Sequence, residues 1–173
     1  MLISQEMNAA INQQISNEFG ASVQYVAIAA HFDEESLPGL AQHFYTQAEE
    51  ERAHAMRFVK YVVDAGGHVE ILGIPQPSSR FHSAQEAVQK AFDGEVTVTK
   101  QINGLMDLAV KETDHITATF LQWFVTEQLE EVSSMDTLLK IVKRAGEQNL
   151  LQVEEYLARQ GRSQTASEQE PGE

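Results

Sequence analysis

Cysteine is absent from all 173 residues. Disulfides, thiolate zinc sites and iron–sulfur clusters are thereby excluded. Proline occurs only four times, too seldom to interrupt long helices. No stretch approaches the roughly 18 uninterrupted apolar residues of a membrane span. The opening residues, Met-Leu-Ile-Ser-Gln-Glu, lack a basic segment followed by an apolar run, so a cytoplasmic location is expected. Basic residues are scarce too. Twelve Lys and Arg stand against 26 Asp and Glu, for a formal net charge of -14. That balance disfavours nucleic acid and anionic membranes as partners and favours cations.

What the chain does contain is apolar residues in helical register. Hydrophobic residues make up 42% of the sequence, enough for the core of one domain. Steps of three and four trace Leu37, Ala41, Phe44, Ala48, Glu51, Ala55, Phe58 and Val62. Seven of these are apolar and the eighth is a carboxylate, with His54 one turn on and pointing to the same side. An unpaired carboxylate in a bundle core is costly, so a cation is expected there, and Glu-x-x-His suggests a metal. The anomaly repeats. The seam Ile11, Ile15, Glu18, Ser22, Tyr25, Ala29, Phe32 carries Glu18. The seam Ala84, Val88, Ala91, Glu95, Val98, Ile102, Leu105 carries Glu95. The seam Phe120, Phe124, Glu127, Glu131, Ser134, Leu138 carries two. Inward carboxylates on four segments argue for one shared site.

Stop and start signals set the organisation. A first helix is expected from Ser4, its N-cap, to Asp33. Ser36 is expected to cap a second helix that ends at Gly66-Gly67. Residues 66–82 hold Pro75, Pro77 and Gly73 and read as an irregular connector. Ser83-x-x-Glu86 forms a capping box for the third helix, and Asp114 opens a fourth that fades near Gly146. A short amphipathic helix is expected over 147–160, followed by a polar, disordered tail over 161–173. The short first and last turns make each pair antiparallel, and the long connector makes the middle helices parallel. The expected fold is all-α, a four-helix bundle with one long crossover and a short fifth helix.

With the residues in place, the chain resembles the bacterial non-haem ferritins. The resemblance rests on Asn17-Glu18-Phe19, Glu49-Glu50-Glu51-Arg52-Ala53-His54, Glu95, and the run from Phe120 to Glu131, FLQWFVTEQLEE. It covers roughly residues 4–160, within a single ferritin-like domain over 1–160. It implies a ferroxidase centre in which Glu18, Glu51 and His54 hold one iron, and Glu51 bridges to a second held by Glu95 and Glu131. A third iron site is implied at Glu50, Glu127, Glu130 and Glu131. Tyr25 matches a tyrosine near the centre, and Gln128 a glutamine beside the second iron. The partners implied are Fe(II) and dioxygen, or peroxide, with ferric mineral stored in a homo-oligomeric cage of twenty-four subunits.

The ligand chemistry agrees. Carboxylate oxygens with few imidazoles suit hard, oxygen-loving ions. Helix four offers Glu127-x-x-Glu130 and no second His, unlike bacterioferritins. Arg52 follows Glu51 where those proteins hold haem, so no haem is expected, and Met56, Met106 and Met135 read as core fillers. Surface positions are expected for His31, His43, His68, His82 and His115. The competing reading is a di-iron oxygenase or peroxidase without storage. A bundle whose inward carboxylates merely pair with bases fails, because the second seam has no Lys or Arg near Glu51.

Overall fold

The computed structural model describes residues 2–167, with side-chain surroundings up to residue 161. Four long helices run as α1 (Gln5–Glu34), α2 (Pro38–Asp64), α3 (Ala84–Lys111) and α4 (His115–Ala145). A single 3₁₀ turn, Glu147–Asn149, leads into α5 (Leu150–Ser167). The all-α bundle expected from periodicity is observed. No helix among the described residues is long and apolar enough to cross a membrane.

Most boundaries follow the expected caps. Ser4 Oγ accepts from Met7 N, Ser83 Oγ from Glu86 N, and an Asp114 carboxylate oxygen from Thr117 N. The Ser83 capping box closes one residue early, because Glu86 accepts from His82 N at 2.7 Å. Ser36 departs from expectation. It sits at φ 59, in the left-handed region, and Leu37 becomes the N-cap with Pro38 following. Proline at the first helical position restricts the residue before it and moves the start of α2 past Ser36. The amides left bare are capped from elsewhere. Glu154 on α5 accepts from Gly39 N and Leu40 N at 2.6 and 2.8 Å. Glu147 reaches Ala84 N at 3.2 Å at the start of α3. Two carboxylates from the C-terminal segment thus sit on the positive ends of two parallel helices. α5 itself continues to Ser167, beyond the Gln160 expected. The rest of the polar tail, residues 168–173, lies outside the described residues.

α1 packs chiefly on α2, α3 on α4, and α1 on α3. The crossover after α2 runs back along α1. Asn8 and Asn12 donate to the His68 carbonyl, Ser16 Oγ accepts from Leu72 N, and Gln24 exchanges two bonds with Ser78. The core falls into two clusters. One gathers Tyr25, Phe32, Phe44, Ala91 and Met135 with Val153 of α5, and the other Met7, Ile15, Phe58, Ile102, Leu121 and Phe124. Between them lies a layer of buried polar groups.

The seams of α2 and α3 are buried throughout, and α1 departs only at half-buried Ser22. The α4 seam is shifted. Its buried stripe is Thr117, Leu121, Phe124, Gln128, Glu131, Met135 and Leu138, so Glu127 is half-buried and Ser134 exposed. Met135 fills the core as expected, Met106 lies at its edge, but Met56 is 45% exposed beside Arg52 and Lys60. His31 and His43 are half-buried rather than at the surface. His31 packs on Phe32 and Phe81, and His43 edge-on to Phe44.

Candidate metal centre

Helical spacing carries each candidate ligand to the polar layer. Glu18 lies one turn after Ile15 on α1, Glu51 one turn after Ala48 on α2, and Glu95 one turn after Ala91 on α3. Glu131 lies two turns after Phe124 on α4. All four carboxylates and His54 are buried.

Two ligand groups overlap there. Glu18, Glu51 and His54 each bring one ligand atom within 4.8 Å of the others, and so do His54, Glu127 and Glu131. His54 Nδ1 lies 3.3 Å from Glu51 Oε2. Its ring sits edge-on to Trp123 and Phe124, at centroid distances of 5.4 and 5.9 Å. The Arg57 guanidinium lies 3.6 Å from the Trp123 centroid, which holds that indole from the solvent side.

Glu95 belongs to neither trio. Its carboxylate accepts a hydrogen bond from the Tyr25 hydroxyl and another from Gln128 Nε2 at 3.2 Å. Gln128 also lies 3.1 Å from Thr99 Oγ1. Glu95 nonetheless faces the other carboxylates, because its charge helps to push both Glu51 and Glu131 up. Glu50 is exposed at the rim, where Gln47 donates to it, and its pKa is raised by burial and by Glu127 and Glu95, against the pull of His54. Glu130 is exposed and enters neither trio.

The electrostatics are those of a site built for positive charge. Burial, then the neighbouring Glu51 charge, raises Glu18 well above the ordinary carboxylate range. Burial, then Glu95, does the same to Glu51. Glu95 is raised by burial against the opposing bonds from Tyr25 and Gln128. Glu131 is pushed up to about 8, by burial first and then by Glu95 and Glu50. Tyr25 is raised well above the ordinary phenol, by burial and then Glu95. Carboxylates crowded in a low-dielectric layer without cations hold protons near neutral pH.

Two oxygens expose what the protein alone does not supply. Glu18 Oε2 and Glu51 Oε1 are buried and receive no hydrogen bond from any other residue; the two carboxyls face one another and, without a cation, share a proton. Orphaned buried carboxylate oxygens are rare unless something else satisfies them. Here they belong to two residues of the same trio, whose carboxylate donors and single imidazole suit an oxygen-preferring metal.

Sequence reasoning missed Gln14. Its side-chain amide is buried and donates to Glu18 Oε1 at 2.7 Å. The signal was present, since Gln14 stands one helical turn before Glu18 and shares its face. Arg57 over Trp123 depends on two helices meeting, and nothing local announces it.

A four-helix bundle with one long crossover, and inward carboxylates from every helix, defines the ferritin-like class. The ferritin-like domain pattern matches residues 8–145, and the chain belongs to the ferritin family. It is 48% identical over 155 residues to "Ferritin BfrB" of Mycolicibacterium smegmatis, covering 90% of this chain and 85% of that protein. It is 35% identical over 146 residues to the "Bacterial non-heme ferritin" of Staphylococcus haemolyticus, covering 84% and 88%. Among solved structures, an open pore ferritin from the archaeon Archaeoglobus fulgidus superposes with a TM-score of 0.87 at 34% identity, covering 90% of this chain and 96% of that one.

Proposed function

We propose that this protein is an iron-storage ferritin with ferroxidase activity, taking Fe(II) as substrate at the buried centre and keeping ferric oxyhydroxide inside a cage of twenty-four copies. The observation that carries the reading is the pair of orphaned oxygens on Glu18 and Glu51, set beside His54 in a layer of raised-pKa carboxylates.

Each residue has work to do. Glu18, Glu51 and His54 hold the first ion. Glu131 and Glu127 hold the second, with Glu95 available once its bonds to Tyr25 and Gln128 rearrange. Ferrous binding displaces the protons that the crowded carboxylates keep in its absence, so iron uptake releases protons. Anionic oxygen ligands stabilise the ferric state more than the ferrous, which favours electron loss. Two ferrous ions supply one electron each, and dioxygen takes up the pair with two protons to leave as hydrogen peroxide. Peroxide can take the next pair and two more protons to become water. The two ligand sets are unequal, because both oxygens of Glu95 are engaged by Tyr25 and Gln128, and the weaker set can release ferric product for storage. Glu50 and Glu130 give that side further carboxylates, and with Glu127 and Glu131 they are the third-site candidates.

Iron retention tests the reading. Ferrous iron is added in air in rising amounts, the protein is gel-filtered, and the iron remaining with each chain is counted. Iron far beyond the capacity of the centre, eluting with a large assembly, is the expected result. A plateau at the capacity of the centre would replace storage with a di-iron oxygenase or peroxidase.

A further inference from the structure

A cleft on the other face of the bundle reaches a residue hydrogen-bonded to the centre. The α2–α4 side carries Glu50, Glu127 and the exposed Glu130. On the opposite side, a cleft of about 410 Å³ lies between α1, crossover residues 75–78 and α3. Tyr25 lines it, and the Tyr25 hydroxyl is bonded to Glu95. Gln101 also lines it and accepts from Gln14 Nε2 at 3.3 Å, the same amide that donates to Glu18. Each edge of the centre is therefore separated from the cleft by neutral hydrogen-bonding groups.

Two features distinguish this opening from the acidic side. The charged side chains lining it are Lys90 and Asp93, opposite in sign, among amides, hydroxyls and small residues. Two glycines line it, with open space where larger side chains could be placed. A Cβ on Gly94 would meet nothing within 4 Å, and one on Gly20 would meet only Ile74 Cγ2, at 3.8 Å.

We infer that this cleft between α1 and α3 admits the small uncharged oxidant, dioxygen or hydrogen peroxide, and not the ferrous ion. A hydrated divalent cation gains little from a cleft whose formal charges cancel, and loses solvation as the walls close in. An uncharged molecule bears no such cost. Hydrogen peroxide finds amide and hydroxyl partners along the wall, and dioxygen requires none. Keeping the two reactants on opposite sides lets both ions settle before the oxidant arrives at Tyr25. The inference rests on the proposed ferroxidase reading.

Plugging the cleft tests it in the assembled, full-length protein. Gly94→Leu fills the opening from α3 and gains helix propensity. Thr97→Phe, at an exposed lining position, is a second plug should the first fail to fold. Gly104→Leu is the matched control, on the same helix with nothing near its Cβ and outside the cleft lining. Anaerobic Fe(II) binding is measured first, then oxidation with dioxygen and, separately, with hydrogen peroxide. The expected result is unchanged iron binding and a slowing of about tenfold in the plugged variants with one or both oxidants, a barrier change of one decade, against a normal control. Whichever oxidant slows is the one that uses the cleft. Normal rates in both plugged variants overturn the inference, and so does slowed anaerobic iron binding, which would make the cleft a cation route. If the wild type itself showed no fast oxidation, the ferroxidase reading would fail first and carry this inference with it.

Discussion

The two halves of the polar layer are built from the same residue type and prepared differently. On α1 and α2, Glu18, Glu51 and His54 already converge, and two carboxylate oxygens receive no hydrogen bond from any other residue. On α3 and α4, both oxygens of Glu95 are engaged, one by Tyr25 and the other by Gln128. The first half is preorganised for an ion, whereas the second must rearrange to offer its full set. Preorganisation raises affinity by removing the cost of ordering at the moment of binding. The first ion should therefore bind tightly and the second more weakly, an inequality that suits the proposed ferroxidase.

Removing Glu51 should break the comparison altogether. It is the carboxylate that faces both halves, so Glu51→Ala is expected to slow fast ferrous oxidation by at least about 100-fold, the upper end for losing a residue that merely supports a metal ligand. Stopped-flow absorbance in air reads the rate, and gel filtration confirms that the assembly persists. A rate near wild type would remove Glu51 from the centre.

Glu18→Ala and Glu131→Ala sharpen it. Each takes one ligand from one half, whereas His54 faces both, and each should cost that half's ion at least the roughly 10–100-fold that follows loss of a residue merely supporting a ligand. Anaerobic titration calorimetry should show Glu18→Ala losing the tight event and Glu131→Ala the weak one. The reverse assignment would overturn the order of filling.

The pH dependence of the metal-free protein reads the raised carboxyls of both halves, and Glu131→Gln isolates the share of the second. Glu131 holds its proton up to about 8 when folded, against 4.5 for its ordinary value. Between those limits the unfolded chain binds fewer protons than the folded one, so stability falls as pH rises. The contribution is fully present below pH 4.5 and is lost through about pH 8. Metal-free Tm should drop by up to roughly 10–20 °C across that window. Ferrous iron or zinc should flatten the curve, and Glu131→Gln should lessen the slope. A Tm that rises with pH through this window would contradict the burial of an uncompensated carboxyl.

How much of this was legible in the sequence depended on whether the signal was local. A carboxylate on an apolar seam violates the cost of burying charge, and that violation shows in a list of residues. Glu18, Glu51 and Glu95 stood out on that ground. Helix α4 was harder, because Glu127, Gln128, Glu130 and Glu131 are crowded together and two registers compete. The buried stripe runs through Gln128 and Glu131, and Glu127 sits at its edge. The start of α2 was misplaced because Ser36 resembles an N-cap, while the carboxylate that actually caps the first amides of α2, Glu154, arrives from more than 110 residues away in sequence. The hydrogen bonds that make the two halves unequal were equally out of reach. Tyr25 and Glu95 are 70 residues apart, and no periodicity pairs them.

The smallest effects fall on the residues that hold the ligands, and their opposite signs make them the finest test of the comparison. Gln14 donates to Glu18 Oε1 and leaves Oε2 free, so it fixes a carboxylate in a position where it can already bind. Tyr25 occupies an oxygen of Glu95 and so competes with an ion for it. Each hydrogen bond is worth about 0.5–1.5 kcal/mol net, or roughly three- to tenfold in binding. Gln14→Leu should weaken the tight ion by that factor, because Glu18 loses its brace. Tyr25→Phe should strengthen the weak ion by a similar factor, because Glu95 is released to it. Anaerobic titration of both variants decides the matter. If Tyr25→Phe instead weakened the second ion, Tyr25 would be aiming Glu95 at the metal, and the second half would be as prepared as the first.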